Sequence, residues 1–125
     1  MIIGIGTDLL NMERLDGELQ AGENSAFLRL VYTAAEREEA GRRASPRSYY
    51  ATRFAGKEAV FKSLGQFPGE ARLSDIEILT GEHREPVVTL HGALSDYARA
   101  LGVTRVHLSL SYDGELAIAY AVAEA

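Results

Sequence analysis

An α+β fold is what this sequence predicts, with a small, mainly antiparallel sheet packed against helices. Three features point to it. Residues 1–7 alternate as a strand, the middle third carries two helix-start signals, and the second half reads as paired strands, the last pair meeting at Asp113-Gly114. At 125 residues the chain suits one domain, spanning 1–125.

Each element has a local cause. Ile3, Ile5 and Thr7 alternate with Gly4, Gly6 and Asp8, a period of two. Gly4, Gly6 and Asp8 therefore share one face, and the two glycines leave room there for something to approach. A helical stretch can begin near Met12, although Gly17 and Gly22 both disfavour it. Thr33-Ala-Ala-Glu36 is a capping-box pattern, and Ser45-Pro46 places proline at a first helical position. That second helix should run to Leu64, with Gly65 just past its end. Strands follow over 75–80 and 87–91, then a helix over 93–101 stopped by Gly102. Strands over 106–111 and 116–122 flank Asp113-Gly114, a dipeptide suited to a type I′ hairpin turn.

Composition excludes several classes. No apolar run reaches the roughly 20 residues of a membrane helix, and the first residues lack a signal peptide's basic start. The chain has no Cys, so disulfides and thiolate metal sites are excluded; this is compatible with the cytoplasm. A formal charge of −5 argues against general nucleic-acid binding. The charge is uneven, however: residues 29–62 hold eight bases and four acids, a basic island in an acidic chain. It reads either as a solvated helical face or as a docking surface for a phosphate-bearing or acidic partner.

Several chemical signals fail. Gly4-Ile-Gly6 follows a strand start, but Leu9 stands where a dinucleotide fingerprint needs its third glycine, and no phosphate-binding loop is present. His83, His91 and His107 have no metal-ligand spacing. No context presents a nucleophilic serine.

The informative segment is Arg53-Phe54-Ala-Gly-Lys57-Glu58-Ala-Val-Phe61-Lys62. On a helix Tyr50, Phe54, Val60, Phe61 and Leu64 form an apolar arc that includes Lys57, while Glu58 and Lys62 lie at its border. A lysine among core-facing residues is unusual. Helix physics alone allows Lys57 to snorkel and Glu58–Lys62 to be an i,i+4 ion pair.

Together with Gly4-Ile-Gly6-Thr7-Asp8-Leu9 and Glu13-Arg14-Leu15, this helix resembles the signature of the 4′-phosphopantetheinyl transferase superfamily. That signature joins an early strand aspartate to an F/W-x-x-K-E-A-x-x-K helix. Length and element order are similar to the short, homotrimeric carrier-protein synthases. Val31-Tyr32-Thr33, Asp75-Ile-Glu-Ile78 and Leu108-Ser-Leu-Ser111 extend the likeness over nearly the whole chain.

The resemblance implies transfer of 4′-phosphopantetheine from coenzyme A to a serine of apo acyl carrier protein, releasing adenosine 3′,5′-bisphosphate. It implies a cytoplasmic enzyme of fatty acid biosynthesis that needs Mg²⁺, with Asp8 and Glu58 as metal ligands and catalytic residues. A hard dication shared between carboxylates and phosphate suits that chemistry. By the same resemblance Arg53, Lys57, Lys62, Gly65, Ser111 and Tyr112 bind coenzyme A, Arg53 at the same mouth as the lysines, and Arg14 meets the carrier protein. The likeness also implies a homotrimer with sites between subunits, where Ala117, Ala119 and Ala121 would pack either at the threefold contact or inside one subunit. Two departures stand out. Relatives often follow the last Ser-x-Ser with His, where this chain has Tyr112, and Asp16, Glu18 and Glu23 surround Arg14. Alternatives are a transferase for polyketide or peptide synthase carriers, and a binding module without turnover.

Overall fold

A computed structural model describes residues 1–65, 69 and 71–125. Strand β1 (Ile2–Asn11) leads through a 3₁₀ turn at Met12–Leu15 into three short helices, α1 (Asp16–Ala21), α2 (Ala26–Val31) and α3 (Ala34–Gly41). The long α4 (Pro46–Ser63) follows. Then come β2 (Ile76–Thr80), β3 (Pro86–Leu90), α5 (Gly92–Ala100), β4 (Arg105–Asp113) and β5 (Leu116–Glu124). The α+β expectation holds. Its strands form two antiparallel sheets: β1-β5-β4 and the β2-β3 pair.

Several boundaries have clear causes. The α3 capping box is complete, with the Thr33 hydroxyl accepting from the Glu36 N–H and the Glu36 carboxylate accepting from the Thr33 N–H. Pro46 opens α4, and Gly65, at φ 78°, follows its end. Helix α2 escaped the sequence reading. Ser25 caps it by accepting from the Leu28 N–H, a signal that six residues of helix leave hard to see. The final hairpin also differs from expectation. Asp113 pairs with Leu116 as a strand residue, and the turn is Gly114-Glu115. Gly114 has φ 59°, while Arg84 is the only non-glycine residue with positive φ among those described. Glycine at the first central position is the type II′ pattern, not I′.

Helix α4 is the centre of the molecule, buried on most sides and not along a single arc. It lies across the three-stranded sheet. Ala117, Ala119, Ala121 and Ala123 of β5 point at it and are all buried, which places these alanines inside the subunit and removes them from any subunit contact. By register, Gly4, Gly6, Asp8 and Leu10 of β1 share that inward face, as do Leu108 and Leu110 of β4. Gly4 and Gly6 do leave room for an approaching group, and that group is α4 itself. A β-carbon at Gly6 would overlap the Ala59 carbonyl, and one at Gly4 the Ser63 carbonyl. Small residues on both strands let the helix backbone come down onto the sheet.

Candidate active site

That close approach builds the site. Asp8 continues the inward row of Gly4 and Gly6, so its carboxylate emerges where α4 lies closest. Lys62, on the same side of α4, donates to the Thr7 carbonyl at 2.9 Å and to Asp8 Oδ1 at 3.3 Å. Glu58 sits one helical turn earlier and is half-buried. Burial first, then the charge of Asp8, raises the Glu58 carboxyl above the usual glutamate range, and Lys62 partly opposes this. Two carboxylates 50 positions apart in sequence are thus held close enough to repel each other, with one lysine between β1 and α4.

No cluster of three or more metal-ligating side chains occurs among the described residues. A pair of mutually repelling carboxylates nevertheless suits a hard cation that completes its shell with water and substrate phosphate, as Mg²⁺ does. Asp8 and Glu58 fit that description. Lys62 can serve a phosphate as a point charge. Gly65 lies exposed just beyond α4, its N–H donating to the Lys62 carbonyl.

Other expected residues fall elsewhere. Arg53 precedes Glu58 by five residues and Lys62 by nine, which turns it about 140° and about 180° around the helix. It therefore does not share a mouth with Lys62. Its guanidinium is buried over the Tyr49 ring, 4.1 Å from the centroid, and Nη2 donates to Thr80 Oγ1 at 3.0 Å. Its Nε has no hydrogen-bond partner. Arg53 lines a cleft of about 330 Å³ together with Thr52, Arg84, Pro86, Leu110, Ser111 and Tyr112. Ser111 and Tyr112 thus join Arg53, on the far side of α4 from Lys62. Arg84 was missed in the sequence; nothing in Gly81-Glu-His-Arg84 marks it except the turn it occupies.

Lys57 departs furthest from expectation. It is fully buried, neither snorkelling nor facing a mouth, and its Nζ donates to Glu36 Oε1 at 2.8 Å. The carbonyls of Leu73 and Ile76 accept its other protons. A side chain without exposed surface does not reach coenzyme A from this position. Lys62 pairs with Asp8, not with Glu58 as the i,i+4 reading had it.

Arg14 is exposed in the 3₁₀ turn after β1. Two acids near it have partners. Asp16 pairs with Arg47 at 2.8 Å, and Glu18 accepts from the Ser25 hydroxyl at 2.5 Å. The ion pair with Arg47 offsets the charge of Asp16 within the fold, which a neutral serine hydroxyl does not do for Glu18.

The model for the 4'-phosphopantetheinyl transferase superfamily matches residues 4–121. The chain belongs to this superfamily. A holo-[acyl-carrier-protein] synthase of Desulforudis audaxviator is 41% identical over 123 residues, covering 98% of this chain and 93% of that protein. The crystal structure of the Neisseria meningitidis synthase superposes with a TM-score of 0.87 at 33% identity, covering 100% of both chains. The Bacillus anthracis synthase, solved in complex with CoA (3',5'-ADP), has a TM-score of 0.78 at 28% identity, covering 98% of this chain and 96% of that one. Membership and fold therefore agree with the resemblance, since both of these synthase structures share the fold of this chain.

Proposed function

We propose that the protein is a holo-[acyl-carrier-protein] synthase that moves 4′-phosphopantetheine from coenzyme A to a serine of apo acyl carrier protein. The observation that carries this is the Asp8–Glu58 pair, brought together under α4 with Lys62 beside it. In this reading the serine oxygen attacks the phosphorus that bears pantetheine. A P–O bond of the pyrophosphate breaks, and adenosine 3′,5′-bisphosphate leaves with the bond's electrons. Bound Mg²⁺ would polarise the phosphoryl oxygens and offset charge on the leaving group. Asp8 and Glu58 would hold it, and Lys62 would move from Asp8 to a phosphate oxygen. The serine proton would leave to Glu58 or to a water held by the metal.

The same reading places the enzyme in the cytoplasm, in fatty acid biosynthesis, and makes it a homotrimer. Trimer formation is supported by the outer face of the β1-β5-β4 sheet, where Ile5, Leu9 and Tyr120 are 70%, 61% and 59% exposed. Such a face on a small protein favours association. Asp8, Glu58 and Lys62 lie on one side of α4, and Arg53, Ser111 and Tyr112 on the other. A cleft between neighbouring copies would let both groups meet one coenzyme A.

Mass spectrometry of apo carrier protein after incubation with coenzyme A, Mg²⁺ and this protein tests the function. A mass gain of one phosphopantetheine is expected, and none with carrier in excess over days would end this reading. Asp8→Ala and Glu58→Ala should each lose most turnover while keeping the parent's thermal unfolding. Near-normal transfer by either, at saturating Mg²⁺, would remove that residue from the site.

A further inference from the structure

Lys57 and Glu36 form the most deeply buried charged pair described, and the mechanism above uses neither. Glu36 accepts from three donors: the N–H of Thr33 and the N–H of Ile78, each at 2.8 Å, and Lys57 Nζ. Lys57 in turn has its three protons on Glu36 and the carbonyls of Leu73 and Ile76. Neither side chain is exposed. One charged junction thus ties the start of α3, the middle of α4 and the entry to β2.

Helix α4 is tied at several points: Arg47 to Asp16 and Glu115 at its start, Tyr49 to Glu39 and Arg53 to Thr80 farther on, and Lys62 to Thr7 near its end. At the turn that carries Glu58, two restraints of different kind act. The contacts of Ala59 and Ser63 with Gly6 and Gly4 set how closely it approaches β1. They are smooth backbone contacts and resist turning about the helix axis only weakly. Lys57 lies on another side of α4, about 160° from Ala59, and its bonds are directional. Glu58 is the next residue. A turn of about 10° carries a carboxylate roughly 5–6 Å from the axis through about 1 Å. Metal ligands tolerate only about 0.2 Å.

We propose that Lys57 is a positioning residue for the Asp8–Glu58 pair: its buried bonds to Glu36, Leu73 and Ile76 fix the rotation of α4 at the turn that carries Glu58, without contact to coenzyme A. This rests on the metal-holding role of Asp8 and Glu58 given above. Lys57 keeps a lysine's charge in the signature helix because the junction needs three directed donors at one point, which no neutral side chain supplies.

The test measures coenzyme A binding to the full chain by calorimetry, in EDTA and at saturating Mg²⁺. Mg²⁺ should tighten binding to the parent. Glu36→Gln/Lys57→Met removes both buried charges at once and strands neither. In this variant binding in EDTA should stay within about twofold of the parent, while the Mg²⁺ effect falls by about tenfold or more. An unchanged Mg²⁺ effect in the folded variant overturns the inference. So does lost affinity in EDTA with a shallower salt dependence, which would put Lys57 on the cofactor. If the double variant does not fold, Lys57→Cys offers a second route, because the chain has no other Cys. Alkylated with bromoethylamine in denaturant and refolded, it carries a near-isosteric lysine and should regain the Mg²⁺ effect; alkylated with iodoacetamide it should not. Equal Mg²⁺ effects in the two would overturn the proposal. A parent without any Mg²⁺ effect would instead sink the metal reading, and this inference with it.

Discussion

Lys62 is the residue whose role is easiest to separate by experiment. Its side chain is 55% exposed, so its bond to Asp8 adds little to stability, about 0–1 kcal/mol. If it serves a phosphate, Lys62→Ala should leave thermal unfolding nearly unchanged and weaken coenzyme A binding, and added salt should shrink the difference. Equal affinities for parent and variant across a salt series would assign Lys62 to structure alone. Tyr112 is 57% exposed at the mouth of the Arg53 cleft. A neutral hydroxyl bond there is worth roughly 0.5–1.5 kcal/mol, so Tyr112→Phe should raise KM for coenzyme A modestly. Tyr112→His should be tolerated and should introduce a dependence of kcat/KM on pH between about 6 and 7. Superimposable pH profiles for all three proteins would take Tyr112 out of the site.

At the scale of elements, Arg47 joins three of them. From the start of α4 it reaches Asp16 of α1 and Glu115 of the β4–β5 turn. Hydrogen bonds from Arg47 hold both carboxyls below the usual carboxylate range. A depressed folded pKa gives stability that is present above the unfolded value and lost as pH falls through the folded one. Thermal stability should therefore fall on acidification below about pH 4.5, and Arg47→Met should flatten that fall while lowering stability at pH 7. Parallel curves for the two proteins would show that this junction contributes nothing to acid sensitivity. The start of α4 was legible in Ser45-Pro46, but the link was not, because Asp16 and Glu115 lie 31 and 68 residues from Arg47.

For the whole molecule, the outer sheet face sets the expectation. Ile5→Lys adds a charge to the apolar face without touching the α4 side, since Ile5 and Gly6 point oppositely. The parent should sediment as a trimer and the variant as a folded, largely inactive monomer. An active monomeric parent at assay concentration would overturn the shared-cleft arrangement.

How much could be read in advance follows from the range of each cause. Alternation in β1, the capping box at Thr33, proline at the head of α4 and glycine at its end act within a few residues, and all were legible as local patterns. The strand aspartate and the Lys57-Glu58 helix also marked the superfamily. Glu36 was legible only as a cap, because its second partner is 21 residues away. The resemblance made Lys57 a cofactor ligand and helix physics let it snorkel, because sequence shows a charge on an apolar arc but not the carboxylate and carbonyls that meet it. Arg53 and Lys62 seemed to share a mouth until α4 was seen to stand between them. Read alone, the chain showed which residues carry charge and most of the local elements, though not the short α2. Which charges are neutralised inside and which are left for a ligand emerged with the folded contacts, because those join residues far apart in the chain.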